Sequence, residues 1–198
     1  VVAYVPGIDP TDDILDSLAL SFPELRIVRV PFAASYARAK GFMINESIAA
    51  VSGKWVALLD ADVIAPPDFL DGLDRHRDMV AFITSDGRKM LDAAATARIL
   101  LGQTRPWEPG EYAKLLEGAG DYRKRESDDE IPVGYCQCVR RDVLDKVKYI
   151  EFNHFEGADW FFGKQVREEF GKEARIEGMV MLHLDHGGSQ WYGTGKQM

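Results

Sequence analysis

Residues 45–70, NESIAAVSGKWVALLDADVIAPPDFL, bear on the fold more than any other stretch of the chain. The apolar run over residues 55–59 reads as a buried β-strand, and it ends in an Asp-Ala-Asp triplet at residues 60–62. In open α/β sheets, ligands bind in the crevice outside the carboxyl ends of the strands. Carboxylates are natural ligands for Mg²⁺ or Mn²⁺, which are often shared with substrate phosphates. The stretch therefore predicts an α/β fold in which a metal holds a diphosphate. The alternative is that the two acids cap the short helix that follows.

The remainder of the chain alternates between strand-like and helix-like segments. Strands are predicted at residues 1–5, 25–30, 55–59, 79–84, 134–139 and 176–182. Helices are predicted at residues 11–20, 35–51, 67–73, 89–101, 111–117, 141–146 and 157–170. This alternation predicts one Rossmann-like α/β domain over residues 1–198, with a mainly parallel central β-sheet flanked by helices.

Composition excludes some classes of partner. The formal net charge of −8 argues against nucleic acid, whose phosphates attract basic surfaces. The apolar runs are far shorter than the ~20 residues that span a bilayer, so no transmembrane segment is expected. We expect a soluble cytoplasmic protein, or one domain of a longer polypeptide.

Cys136 and Cys138 would share one face of a strand, and we expect free thiols because the sequence offers no partners to complete a zinc site.

Three segments together resemble a known family. The spacing of Asn45, Gly53 and Asp60 is similar to that in the nucleotide-sugar core of GT-A glycosyltransferases, especially family 2 and its galactosyltransferase-like relatives. The segment HFEGADWFFGKQV at residues 154–166 resembles the acidic acceptor-side motif of that family, and MLHLDHGGSQWYG at residues 181–193 resembles its closing His-containing segment. The chain departs from the pattern mildly, with Ser and Val where the family usually has Gly and Ala at positions 47 and 51.

The resemblance implies a donor and a metal. The expected donor is a nucleotide-diphosphate sugar, UDP-sugar first, bound with Mn²⁺ or Mg²⁺. Asp62 is the expected direct metal ligand, and Asp60 acts as a second metal ligand through water or contacts the ribose. Either His183 or His186 would complete the metal shell, and the spacing does not separate them. The remaining donor-binding candidates are Arg38, Lys40 and Asn45.

The resemblance also implies an acceptor side and an inverting mechanism. Asp159 would be the general base that takes the proton of an acceptor hydroxyl. Ala158 stands where the family usually has Glu, and Glu156 is the candidate to replace it. The expected acceptor is a glycan or another hydroxyl compound, against which aromatic rings would stack. The candidate stacking residues are Trp107, Trp160 and Trp191.

The expected division of the chain follows from these segments. Residues 1–101 form the nucleotide-sugar-binding half, residues 102–133 a mobile flap, and residues 134–198 the acceptor-side half. The flap is rich in Gly, Pro and charge, and a short helix near residues 111–117 is expected within it.

Two other functions remain open. A sugar nucleotidyltransferase also uses paired acids and Mg²⁺, although the basic Gly-rich loop typical of that class is missing after residues 1–5. A nucleotide- or glycan-binding module without turnover is the other possibility. It is suggested by Ala158 and by the single strand–helix unit before Asn45, where the family usually has two. With one unit missing, the residues that read the nucleobase stay unassigned.

Overall fold

A computed structural model describes residues 1–124, 127, 129–132, 134–151 and 157–186 of the chain. The chain forms two compact units, each built from two separate segments. Unit 1 consists of residues 1–56 and 140–169, and unit 2 consists of residues 57–139 and 170–198. These boundaries differ from the division at residues 101 and 134 expected from the sequence.

Eight strands and seven α-helices are found in the described residues. The strands are β1 (Val2–Tyr4), β2 (Arg29–Pro31), β3 (Trp55–Leu59), β4 (Val63–Ile64), β5 (Phe82–Leu91), β6 (Gly120–Lys124), β7 (Cys136–Arg140) and β8 (Ala174–His183). The helices are α1 (Thr11–Ser21), α2 (Lys40–Ser47), α3 (Phe69–His76), α4 (Ala93–Leu100), α5 (Glu111–Glu117), α6 (Val143–Lys146) and α7 (Ala158–Phe170). Short 3₁₀ turns at Ala34–Tyr36 and Ile48–Ala50 flank α2, so the helix predicted over residues 35–51 is broken into three parts. None of the helices in the described ranges is long and apolar enough to cross a membrane.

In unit 1, β1 and β2 pair in parallel, with α1 connecting them. α2 lies close against the segment that follows α6, because a Cβ built on Gly41 would come within 2.1 Å of the carbonyl oxygen of Ile150. The same segment is fixed to α7 by stacking of Tyr149 on Phe162, whose ring centroids are 4.2 Å apart. Unit 1 therefore joins its N-terminal residues to residues 149–151 through direct packing.

The larger sheet has six strands in the order β3-β7-β5-β8-β4, with β6 also paired to β5. β5 is buried along its whole length and is parallel to β8. It is antiparallel to β6 and β7, and β4 is antiparallel to β8. The sheet is therefore mixed, and the prediction of a mainly parallel sheet is wrong. The alternation of strands and helices did not predict strand direction correctly. After β5 the chain passes through α4 and α5 and then forms β6, which runs antiparallel to β5.

The central part of β5 contains charged residues, and for this reason the strand predicted from the sequence ends before β5 does. The sequence predicts neither a strand nor a helix over residues 85–88, but these residues belong to β5. Asp86 forms ion pairs with Lys124 at 3.1 Å and with Arg175 at 3.2 Å. The Nζ atom of Lys89 donates to the carbonyl oxygens of Gly118 and Gly120. Pairing makes burial of these charges tolerable. The strand therefore continues to Leu91, and the helix predicted from residue 89 begins only at Ala93.

Other expectations from the sequence can now be compared with the structure. The strand over residues 55–59 and the helix over residues 111–117 are confirmed. Within the expected flap, the strand β6 was not predicted, and mobility of that segment stays a prediction. Cys136 and Cys138 are buried free thiols on one face of β7, and their mutual hydrogen bond, together with burial, raises the pKa of Cys138.

Candidate metal centre

Asp62 lies in a tight turn that joins β3 to β4. The backbone N–H of Val63 donates to the carbonyl oxygen of Asp60 at 3.3 Å, which closes the turn. β4 then pairs with the end of β8, so that Val63 lies opposite His183. The backbone N–H of Leu184 donates to the carbonyl oxygen of Asp62 at 2.9 Å. The acidic turn is therefore fixed against the carboxyl end of β8.

Both histidines of the closing segment reach Asp62. The Nε2 atom of His186 lies 2.8 Å from Oδ2 of Asp62, and Nε2 of His183 lies 3.4 Å from the same oxygen. The two rings are nearly parallel, with an interplanar angle of 15°. One ligand atom from each of the three residues lies within 4.8 Å of the other two. The structure thus brings together one carboxylate and two imidazoles, whereas the sequence could not choose between the histidines.

The hydrogen bonds of His183 suit metal binding. Its Nδ1 atom lies 2.9 Å from the carbonyl oxygen of Leu184, which can only accept, so this nitrogen carries the proton. In the neutral ring, Nε2 then presents its lone pair towards Asp62. A backbone carbonyl that orients a metal-binding imidazole in this way is a common feature of metal sites.

Asp62 itself carries an unsatisfied oxygen. Its Oδ1 atom is buried and has no hydrogen-bond partner among the described residues. A buried acceptor without a partner is costly, and a bound cation would satisfy it. The donor set therefore fits a divalent cation of the first transition row, since imidazole nitrogen is a poor ligand for Mg²⁺.

Asp60 is not a member of this three-residue cluster. Its backbone N–H faces the carbonyl oxygen of Tyr135 at 3.5 Å, while its carbonyl closes the turn described above. A role for Asp60 through water or the ribose stays a prediction.

The donor-binding candidates from the N-terminal segment lie in unit 1. The amide of Asn45 donates to the carbonyl oxygen of Tyr149 and to Oε1 of Glu151, each at 2.9 Å, and accepts from the backbone N–H of Tyr149 at 3.0 Å. Asn45 is thus engaged in holding unit 1 together. Arg38 is exposed in the turn before α2, and Lys40 is the first residue of that helix. Donor contact by these three residues stays a prediction.

The described acceptor-side candidates belong to different units. Asp159 lies in the first turn of α7, in unit 1, where Oδ1 accepts from the backbone N–H of Trp160 at 2.9 Å. Trp160 is 39% exposed and packs edge-on against Phe161. Trp107, in unit 2, is 69% exposed. Two further candidates, Glu156 and Trp191, lie outside the described residues.

Two residues that support the metal centre had no signal in the sequence. The hydroxyl of Tyr112 lies 2.7 Å from the carbonyl oxygen of Val180 and 3.1 Å from that of Ile64, and so it links β8 to β4. Burial raises the pKa of Tyr112, which keeps this hydroxyl protonated. The Oγ1 atom of Thr96 accepts the backbone N–H of Asp185 at 2.9 Å. A lone Tyr and a lone Thr on short helices belong to no motif, and only the tertiary structure shows what they contact.

No family model and no curated protein matches the sequence. Solved structures of glucosyl-3-phosphoglycerate synthase from Mycobacterium tuberculosis do match the fold. The structure with Mn²⁺, UDP-glucose and phosphoglyceric acid gives a TM-score of 0.52 at 17% identity, covering 92% of this chain and 59% of that chain. The structure with phosphoglyceric acid gives 0.50 at 18% identity, covering 90% and 58%. The structure with UDP gives 0.50 at 17% identity, covering 92% and 58%.

This likeness establishes the fold. The chain has the mixed α/β architecture of a GT-A-type glycosyltransferase, which confirms the GT-A fold expected from the three sequence segments. The chain spans less than two thirds of the length of the structures that it matches.

Proposed function

We propose that this chain is a metal-dependent glycosyltransferase that moves a sugar from a nucleotide-diphosphate sugar, with a UDP-sugar as donor, to an acceptor hydroxyl. The observation that carries the proposal is the grouping of Asp62, whose buried Oδ1 has no hydrogen-bond partner among the described residues, with His183 and His186. This grouping lies at a strand end in a fold of which one solved example holds Mn²⁺ and UDP-glucose.

The charge that develops during the reaction explains the need for such a centre. Breaking the bond between the anomeric carbon and the diphosphate leaves negative charge on the departing phosphate. A divalent cation held by Asp62, His183 and His186 would supply Lewis-acid neutralisation of that charge. Asp60 is proposed to bind the cation through water or to contact the ribose. Arg38, Lys40 and Asn45 are the remaining proposed donor contacts.

The acceptor half of the reaction is assigned to Asp159. Its carboxylate would take the proton of the acceptor hydroxyl while that oxygen forms a bond to the anomeric carbon and the diphosphate leaves. In-line displacement of this kind inverts the anomeric configuration. Glu156, Trp160 and the other indoles at positions 107 and 191 are proposed to bind a glycan acceptor, with the rings stacked on the sugar.

Calorimetry of UDP binding tests the proposal. Wild-type protein should bind UDP more tightly with Mn²⁺ than with Mg²⁺, and only weakly in EDTA. Asp62→Asn should lose the dependence on Mn²⁺, because a neutral amide replaces the anionic ligand. The control is Asp78→Asn, since that side chain is 92% exposed and outside the cluster. Equal UDP affinity in EDTA, or an Asp62→Asn protein that behaves like wild type, would refute the metal-dependent function.

A donor-binding module without turnover is the second candidate. It is favoured by Ala158, which is completely buried at the start of α7 where the resembled family has Glu. Incubation of UDP-sugars with Mn²⁺, with and without hydroxyl acceptors, separates the candidates. Free UDP and a glycoside product indicate transfer, binding without products indicates the module, and a nucleotidyl product indicates a nucleotidyltransferase.

A further inference from the structure

The turn that carries the two histidines is anchored at three consecutive residues. His183 pairs with Val63 in the sheet, and the N–H of Leu184 donates to the carbonyl oxygen of Asp62 at 2.9 Å. The N–H of Asp185 donates to Oγ1 of Thr96 at 2.9 Å. The first two anchors are provided by β4 and the turn that precedes it, whereas the third comes from α4. This third anchor immediately precedes His186.

The hydroxyl of Thr96 is held in a well-defined place. Thr96 is only 5% exposed, and it lies in a helix whose start is capped by Asp92, with Oδ1 accepting the N–H of Ala95 at 2.6 Å. Ala95 belongs to a buried apolar cluster that includes Leu182, and Leu184 packs against that cluster. The helix and the residues on either side of His183 therefore share one core.

His186 depends more on its backbone than His183 does. Its side chain is 42% exposed, compared with 6% for His183, so packing restrains it less. Its Nε2 atom nevertheless lies 2.8 Å from Oδ2 of Asp62. Because packing restrains the imidazole of His186 little, its position near Asp62 depends on how firmly the main chain before it is held.

We propose that Thr96 is a positioning residue for the metal centre, and that its hydroxyl fixes the N–H of Asp185 so that the imidazole of His186 reaches Asp62. This proposal rests on the metal site of the proposed function. Loss of the hydroxyl frees the turn after Leu184, and His186 then samples positions from which it no longer binds the cation. The metal affinity falls because that freedom must be lost again on binding.

Mn²⁺ binding to the full chain, measured by electron paramagnetic resonance without nucleotide, tests the proposal. Thr96→Val keeps the size and removes the acceptor, and it should raise the Kd for Mn²⁺ about threefold to tenfold, the range given by loss of one hydrogen bond. Thr96→Ser retains the hydroxyl and should stay within about twofold of wild type. Thr84→Val is the matched control, because Thr84 is 3% exposed and its Oγ1 has no hydrogen-bond partner in the described parts of the chain.

A double-mutant cycle separates positioning from a general structural effect. In the His186→Asn background, Thr96→Val should change the Kd for Mn²⁺ by less than about twofold, because the residue through which it acts is gone. An equal loss in both backgrounds would overturn the proposal, and so would an unchanged Kd in the single variant. If Thr96→Val fails to fold by circular dichroism, Thr96→Ala removes the same hydroxyl with less bulk and supplies the measurement. Absence of Mn²⁺ binding by the wild-type protein would instead refute the proposed function.

Discussion

At the scale of single residues, Asn45 shows how a residue from a functional motif acts in the fold. Its side-chain amide makes three hydrogen bonds to residues 149–151, more than a hundred positions along the chain. Gly53, eight residues on, is needed for a different reason. A Cβ at that position would lie 2.9 Å from the carbonyl oxygen of Trp55. Two members of the motif therefore have direct structural roles in unit 1.

We expect Asn45→Ala to lower the free energy of unfolding by about 1–3 kcal/mol, because it leaves the N–H and the carbonyl of Tyr149 without their partner. Urea unfolding followed by circular dichroism measures the change. Glu46→Ala is the control, since Glu46 is the adjacent residue and is exposed. A wild-type unfolding midpoint for Asn45→Ala would show that these hydrogen bonds contribute nothing.

Asp159 is expected to act in transfer and not in donor binding. Asp159→Asn should lower kcat by about 10²–10⁴ with little change in donor affinity, since an amide cannot accept the acceptor proton. Steady-state kinetics and calorimetry with UDP measure the two quantities. Transfer at a wild-type rate, or a product that retains the anomeric configuration, would contradict the assignment of Asp159 as the base.

The residue types of the candidate metal centre could be predicted from the sequence, but the set of side chains that meet there could not. Asp62 follows an apolar strand, and that strand has the predicted bounds, so its place at a strand end could be predicted from the sequence. The sequence could not show that both His183 and His186 face the same carboxylate oxygen, because this depends on how the chain turns after β8. In that turn the N–H of Asp185 donates to the hydroxyl of Thr96, which is distant in sequence.

At the scale of elements, β5 and β6 show where sequence patterns fail. Apolar periodicity identifies strands that bury apolar side chains, whereas β5 also buries Asp86, whose charge is paired with Lys124 of β6 and Arg175 of β8. β6 is exposed along its length, and its run of polar residues carries no alternation. Both strands are stabilised by partners that only the tertiary structure supplies.

Gly120 is the tightest point of the β5–β6 pair. It has a φ of 118°, and a Cβ there would lie 2.1 Å from the carbonyl oxygen of Met90. We expect Gly120→Ala to destabilise the protein by about 2–4 kcal/mol, because backbone strain and a steric clash add together. Gly102→Ala is the comparison, since Gly102 has a φ of 69° with nothing within 4 Å of the added Cβ. Equal urea midpoints for the two variants would show that the clash relaxes without cost.

The segment of residues 102–133 is proposed to be a flap that becomes ordered when the donor or acceptor binds. The structure limits which part of the segment could act as a flap, because α5 packs in the apolar cluster and β6 is paired with β5. The connection before α5, which carries the exposed Trp107, is the part to test. Chymotrypsin cleavage after Trp107 should slow when a UDP-sugar and Mn²⁺ are added. An unchanged cleavage rate would remove the flap role and leave a solvated insertion.

At the scale of the whole molecule, the strand–helix alternation was sufficient to predict the α/β class, and the resemblance of three segments to a known family supplied the GT-A fold. It was not sufficient to predict strand directions or the two units. Each unit is assembled from two segments far apart in sequence. The residues that join the two segments of unit 1, such as Asn45 and Tyr149, gave no local signal. Contacts of this range depend on the completed fold and not on neighbouring residues.

The place of β8 in the sheet has a consequence for biosynthesis. Among the strands of the described residues β8 comes last in the chain, yet it lies between β5 and β4. Until it emerges from the ribosome, one edge of β5 has no partner, and nascent chains in that state are exposed to aggregation. We expect a chain that stops at Gly171 to sediment as aggregate after synthesis in a cell-free system. A chain that stops at His186 keeps every described strand and should distribute between pellet and supernatant as residues 1–198 do. Equal sedimentation of the chains that stop at Gly171 and at His186 would show that the open edge is harmless. Aggregation of the shorter chain alone would mean that this protein depends on chaperones until β8 is made.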